Sequence, residues 1–177
     1  MSLKSSSVAY GAVARAFHWI VAALMFYMFL SGIGQKDFGP AFAIPIHKGI
    51  GIVVLTLTLG RIFWWLNDRQ RPTDAELQWE KWPSRLAKWG LLTLTLAVPL
   101  AGWTLSSYSG KPISIVGLLD IPLLPATPDK EMKEIWENIH AALAYSALTI
   151  AVLHIAGALR HHFILKDGVL RRMLPPR

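Results

Sequence analysis

No cysteine occurs anywhere in the 177 residues. Disulfides, thiolate zinc sites, cysteine-ligated iron–sulfur clusters and covalent c-type haem attachment are therefore excluded, and any metal must be held by histidine or oxygen. Charge is scarce as well: only 16% of residues are Asp, Glu, Lys or Arg, against about a quarter in soluble domains. Internal repeats, low-complexity tracts and alternating ten-residue strand patterns are missing, which argues against a membrane β-barrel. No nucleophile triad, acid/base dyad or phosphate-cradling loop is present.

Apolar sequence is abundant. Hydrophobic residues make up 53% of the chain and the mean hydropathy is +0.39. The length is best counted in bilayer spans of about 20 apolar residues, each about 30 Å long as a helix. Four such runs are legible, at about 12–33, 45–66, 84–107 and 134–165. Only helices satisfy the backbone in hydrocarbon without a closed barrel. The expectation is one all-α domain over 1–177, an integral membrane four-helix bundle. The first run follows Arg15, is long and lacks a small-residue cleavage site, so it reads as a retained helix rather than a signal peptide.

Lys and Arg near helix ends are retained on the cytoplasmic side. With both termini cytoplasmic, that side holds Lys4, Arg15, Arg61, Arg69, Arg71, Lys81, Arg85, Lys88, Arg160, Lys166, Arg171, Arg172 and Arg177, leaving Lys36, Lys48, Lys111, Lys130 and Lys133 outside. Asp120, Asp129, Glu131, Glu134 and Glu137 sharpen the contrast. The pI of about 9.9 thus reflects topology, not nucleic-acid binding. Trp64, Trp65, Trp82, Trp89, Trp103 and Trp136 fall toward helix ends, as an aromatic belt requires.

Histidine inside membrane helices points to function. His18 lies a turn or two inside the cytoplasmic start of the first helix, and His154 about as far from the cytoplasmic end of the fourth. His47 and His140 are each within about a turn of the outer start of the second and fourth helices. Two pairs at two depths result. Fourteen residues at 100° per residue return to within about 40° of the same face, so His140 and His154 share a side of one helix and stand about 21 Å apart in height. Opposed imidazoles without thiolate or carboxylate suit the axial positions of a haem iron, and a flat macrocycle fills the centre of a four-helix bundle. Zinc would want more ligands.

Gly49 and Gly51 beside His47, and Gly157 one turn after His154, would admit a porphyrin to the backbone. Arg15, Arg61 and Arg160 are candidate partners for its propionates at the inner site. His161 keeps nearly the face of His154 but lies about 10 Å nearer the cytoplasm, so His154 is preferred as inner ligand. His162 points elsewhere.

The segments RAFHWIVAALMFYMFLSG, IPIHKGIGIVVLTLTLGRIFW, PLAGWTLSSYSGKPISIVG and ENIHAALAYSALTIAVLHIAGAL followed by HHFILKDGVLRRM resemble, in order and over nearly the whole chain, the bacterial cytochrome b561 family. The resemblance implies an inner-membrane four-helix bundle with two b-type haems. His18 and His154 would hold the cytoplasmic haem, His47 and His140 the periplasmic one. It also implies one-electron transfer with ubiquinone as partner, and a branch that oxidises superoxide. Agreement is weakest in the Pro-rich outer loop.

Lys48 and Lys111 place positive charge on an otherwise acidic outer face, where a small anion such as superoxide would be attracted. Trp103, Ser106 and Tyr108 are candidates for lining a quinone pocket. The expected function is an oxidoreductase or electron carrier working between ubiquinone and a small redox partner. The alternatives are a haem-bearing anchor subunit of a dehydrogenase or hydrogenase, and a haem-free bundle whose histidines relay protons. Short loops leave little docking surface, which favours the first.

Overall fold

The computed structural model describes residues 2–6, 9–34, 40–68, 81–115 and 117–174, with backbone alone at 40–43 and 81. Four helices carry the chain back and forth: α1 (Ala12–Ile33), α2 (Pro40–Asn67), α3 (Lys81–Tyr108) and α4 (Lys130–Arg160). All four are long and apolar enough to cross a bilayer. Large apolar side chains point outward along them, with Phe26 66%, Phe63 69% and Leu153 65% exposed. A soluble monomer does not carry such a continuous apolar surface, whereas lipid tails cover it at no cost. The membrane four-helix bundle expected from the sequence is the fold observed.

Three helix bounds differ from the expected ones. α2 begins at Pro40, so Pro45 lies inside it; proline forfeits one backbone bond there, a loss that membrane helices tolerate when neighbours pack closely. α3 starts at Lys81, three residues earlier than expected. α4 starts at Lys130 because the Asp129 side chain accepts the Met132 amide at 2.8 Å, an N-cap that makes the acidic segment the helix's first turns. At its far end α4 gives way at His161 to a π-helical turn, His161–Leu165, closed by Lys166 in the left-handed region.

Small side chains recur in the core, as helix packing in lipid requires, beside the larger Ile52, Leu55 and Ile113. Val54, Thr58, Ala101, Ser106, Ser107 and Ala147 are all buried. Hydroxyls within the helices are satisfied locally: Thr56, Thr58, Thr104, Ser107, Ser146 and Thr149 each donate to the carbonyl four residues back. α3 packs most extensively on α4, α1 on α2, and α2 on α3. α4 makes no comparably close backbone contact with α1 or α2.

The two ends of the bundle are built differently. At one end the terminal segments interlock: the Tyr10 amide donates to the Arg172 carbonyl, Arg15 Nη1 donates to Leu174 O at 2.8 Å, and Trp19 Nε1 donates to Met173 O at 2.8 Å. Beneath them the Ser5 amide and hydroxyl donate to the buried Asp68 carboxylate, and the Gly11 amide donates to Ser5 Oγ. At the other end β1 (Ile113–Ile115) pairs antiparallel with β2 (Leu119–Ile121). This hairpin was not expected from the sequence. It lies directly on α2: a Cβ on Gly49 would stand 2.9 Å from Ser114 O, so only glycine lets the strand come that close.

Among the described residues, Lys4, Arg15, Arg61, Arg85, Lys88, Arg160, Lys166, Arg171 and Arg172 belong to the terminal end, and Lys48, Lys111, Lys130 and Lys133 to the hairpin end. Lys36, Arg69, Arg71 and Arg177 lie outside the described residues, as does the Lys81 side chain.

Candidate cofactor site

α4 presents His140 and His154 toward the two helices it does not pack against. His140 faces His47 of α2, with ring centroids 6.3 Å apart and planes at 79°. His154 faces His18 of α1, with centroids 6.5 Å apart and planes at 64°. The pairs are those read from helix depth. Each bridges two helices whose backbones stay apart, which is the space a flat macrocycle needs.

The spacing is too wide for the rings to bond each other. With ring nitrogens about 1.1 Å from the centroids, nitrogens of facing rings are at least about 4 Å apart, beyond the roughly 3.2 Å limit of a hydrogen bond. It is right for a metal between them: two collinear metal–imidazole bonds of about 2 Å each place the centroids about 6.2 Å apart.

Protonation follows from the neighbours. Ser31 Oγ lies 3.2 Å from Met28 O and 2.8 Å from His47 Nδ1, so it can donate to the carbonyl while accepting from the ring. In that arrangement His47 carries its proton on Nδ1 and keeps a lone pair on Nε2. His140 Nδ1 lies 3.0 Å from Val98 O and can only donate to that carbonyl, which again leaves Nε2 as a lone pair. Gly102, one turn beyond Val98, has no side chain to cover the carbonyl. Nδ1–H fixed by an acceptor with Nε2 free is the arrangement of a metal-ligating histidine. At the other pair, His18 Nδ1 is buried without a hydrogen-bond partner. Among the described residues no three of His, Asp and Glu converge, so neither imidazole pair is joined by a carboxylate.

A sequence profile of prokaryotic cytochrome b561 matches residues 9–176. The chain belongs to that family. It is 31% identical over 180 residues to Cytochrome b561 homolog 2 of Escherichia coli (strain K12), covering 98% of this chain and 95% of that one. Cytochrome b561 homolog 1 of the same organism is 33% identical over 136 residues, 74% of each chain. A probable superoxide oxidase of Yersinia pestis is 27% identical over 179 residues, 95% of this chain and 97% of that one. As a member of the cytochrome b561 family the protein is a multi-pass bacterial membrane cytochrome, and its function is electron transfer with b-type haem. The facing imidazoles fit that group: two histidines at each site, no thiolate, and at His47 and His140 an Nδ1 partner that can leave Nε2 free for iron.

The other candidate residues fall into distinct places. Arg61 acts electrostatically on both His18 and His154, so it stands beside the terminal-end pair. Arg15 is occupied with Leu174 O, and Arg160 sits in the last turn of α4. Lys48 lies near Lys111 at the hairpin end, bringing a helix residue and a loop residue into one positive spot. Trp103 Nε1 donates to Pro122 O at 3.0 Å, Ser106 Oγ donates to Lys111 O at 3.1 Å, and the Tyr108 carbonyl accepts the Asp129 amide. These bonds brace the outer loop against α3. Gly49 and Gly51 meet Ser114 and Met28, while a Cβ on Gly157 would meet nothing within 4 Å. His161 Nδ1 bonds Asp167 Oδ2 at 2.6 Å, in the terminal segment. Sequence reasoning did not single out Ser31, Val98 and Gly102. Ser31 carried a signal, being a polar residue in an apolar helix at the depth of His47.

Proposed function

We propose that this protein is a dihaem cytochrome of the bacterial inner membrane that moves single electrons between ubiquinone and a small anionic redox partner such as superoxide. The observation that carries the proposal is the pair of facing imidazole couples, at 6.3 and 6.5 Å, stacked on α4 and spanning both halves of the bundle. His47 and His140 would hold the periplasmic haem, His18 and His154 the cytoplasmic one, with both termini in the cytoplasm as the basic terminal end favours. Bound haem iron supplies one-electron redox chemistry.

The remaining residues bind, orient and shield. Ser31 and the Val98 carbonyl fix the two outer rings in the ligating tautomer. Arg61 offers a cation for a propionate at the inner site. Lys48 and Lys111 attract an anion to the periplasmic mouth, the only positive spot among the described residues of the hairpin end other than Lys130 and Lys133 at the start of α4. Two superoxide anions each giving up one electron become two dioxygen molecules, and the two electrons with two protons convert ubiquinone to ubiquinol.

The test is purified protein in liposomes containing ubiquinone, supplied outside with a steady superoxide source. Formation of quinol that stops when superoxide dismutase is added supports the proposal. No quinol, or co-purification with a large dehydrogenase in mild detergent, favours an anchor subunit instead.

A further inference from the structure

The two imidazole couples are not equivalent in what lies behind them. At the hairpin end Nδ1 of each ring has a hydrogen-bond partner: His47 Nδ1 lies 2.8 Å from Ser31 Oγ and His140 Nδ1 lies 3.0 Å from Val98 O, and with Nε2 on iron each would donate. At the terminal end His18 Nδ1 is buried and has no acceptor. A proton drawn toward an acceptor leaves more electron density on the opposite nitrogen, so the ring becomes a stronger donor to iron. Stronger donation favours the ferric state and lowers the midpoint potential.

Charge at the terminal end acts in the same sense. Arg61, partly buried, acts electrostatically on both His18 and His154, and Lys88 acts on His154 as well. A cation there favours the state with one more electron. Lys48 and Lys111 oppose this at the other end, Lys48 half-buried beside His47 and Lys111 exposed. For the exposed Lys111 the effective dielectric approaches about 80 rather than about 20, and its charge counts for about a quarter as much.

We propose that Ser31, acting through His47, and the Val98 carbonyl, acting through His140, set the hairpin-end haem at the lower midpoint potential of the two. Ser31 is a positioning residue in this scheme; it touches the ligand ring, not the iron. The inference rests on the dihaem reading above and adds a direction to it: electrons run downhill from the periplasmic face toward the cytoplasmic one.

A spectroelectrochemical titration of the wild type with both haems bound, and of Ser31→Ala and Ser31→Thr, tests it. The two components are assigned with His18→Ala, which keeps the hairpin-end haem, and His47→Ala, which keeps the other. The expected result is a lower potential for the hairpin-end component in the wild type. Ser31→Ala moves that component alone upward, and Ser31→Thr, which keeps the hydroxyl, returns it to the wild-type value. A hairpin-end component at the higher potential overturns the proposal, and this comparison needs only the wild type and the histidine variants should Ser31→Ala fail to hold its haem. An unmoved or lowered component in a fully loaded Ser31→Ala overturns it as well. A wild type that binds a single haem instead rejects the underlying dihaem reading, a failure distinct from either of these.

Discussion

His140 rests against Gly102: a methyl group added there would lie 3.1 Å from the ring's Cε1 and 3.3 Å from its Nδ1. The ring is tied to Val98 O on the same helix as Gly102, so yielding would stretch that bond. Gly102→Ala is expected to tilt His140 and weaken the hairpin-end site by about 1–2 kcal/mol, the scale of a modest overpacking. Haem retention during dialysis, compared with wild type, measures it. The terminal-end haem should be unaffected.

Ser5 anchors the N-terminal segment by donating twice to Asp68 while accepting from Gly11. Ser5→Ala removes the hydroxyl from a buried carboxylate, at an expected cost of about 1–3 kcal/mol. Amide exchange should accelerate over residues 2–11, and across the C-terminal contacts at Arg172 and Leu174 that close on the same surface. Normal protection in that region would show that the clamp is not what holds the segment.

Asp167 titrates below the ordinary carboxylate range. Burial alone would push its carboxyl up, but the hydrogen bond with His161, the Val169 amide and the charges of His161 and Arg172 outweigh burial. A carboxyl depressed in the folded state contributes stability that is fully present above its unfolded pKa of about 3.9 and is lost as pH falls through the folded value. The C-terminal turn should therefore stay docked from neutral pH down to about pH 4 and loosen below it. Asp167→Asn should loosen it at all pH values. Limited proteolysis after residue 166 reports both.

Lys48 and Lys111 should govern encounter rather than binding of haem. Replacing both with Gln is expected to slow the reaction with superoxide by about tenfold at low salt, and to flatten its dependence on ionic strength. Haem content should stay at the wild-type level. A rate equal to wild type at all salt concentrations would remove these lysines from the periplasmic mouth.

The helices were readable because hydrocarbon imposes one solution on an apolar run of about 20 residues. The pairing of His18 with His154 and His47 with His140 was readable because rise and twist per residue convert spacing into depth and face. What lay behind the rings was not. Ser31 meets His47 only once α1 and α2 are packed, and the Val98 carbonyl is available to His140 only because Gly102 leaves it uncovered. The hairpin escaped notice because its strands have three residues each and cohere by lying on Gly49, a long-range contact with no local periodicity. The π turn after Arg160 is likewise a product of its surroundings, where His161 reaches Asp167 across a reversal at Lys166.

Haem content per chain, measured by pyridine haemochrome on wild type and on single His→Ala variants, bears most directly on the central claim. Two haems per chain are expected in the wild type, with one lost for each of His18, His47, His140 and His154 and none for His162. One haem in the fully loaded wild type, or both retained in His154→Ala but one lost in His161→Ala, would contradict the stacked imidazole couples.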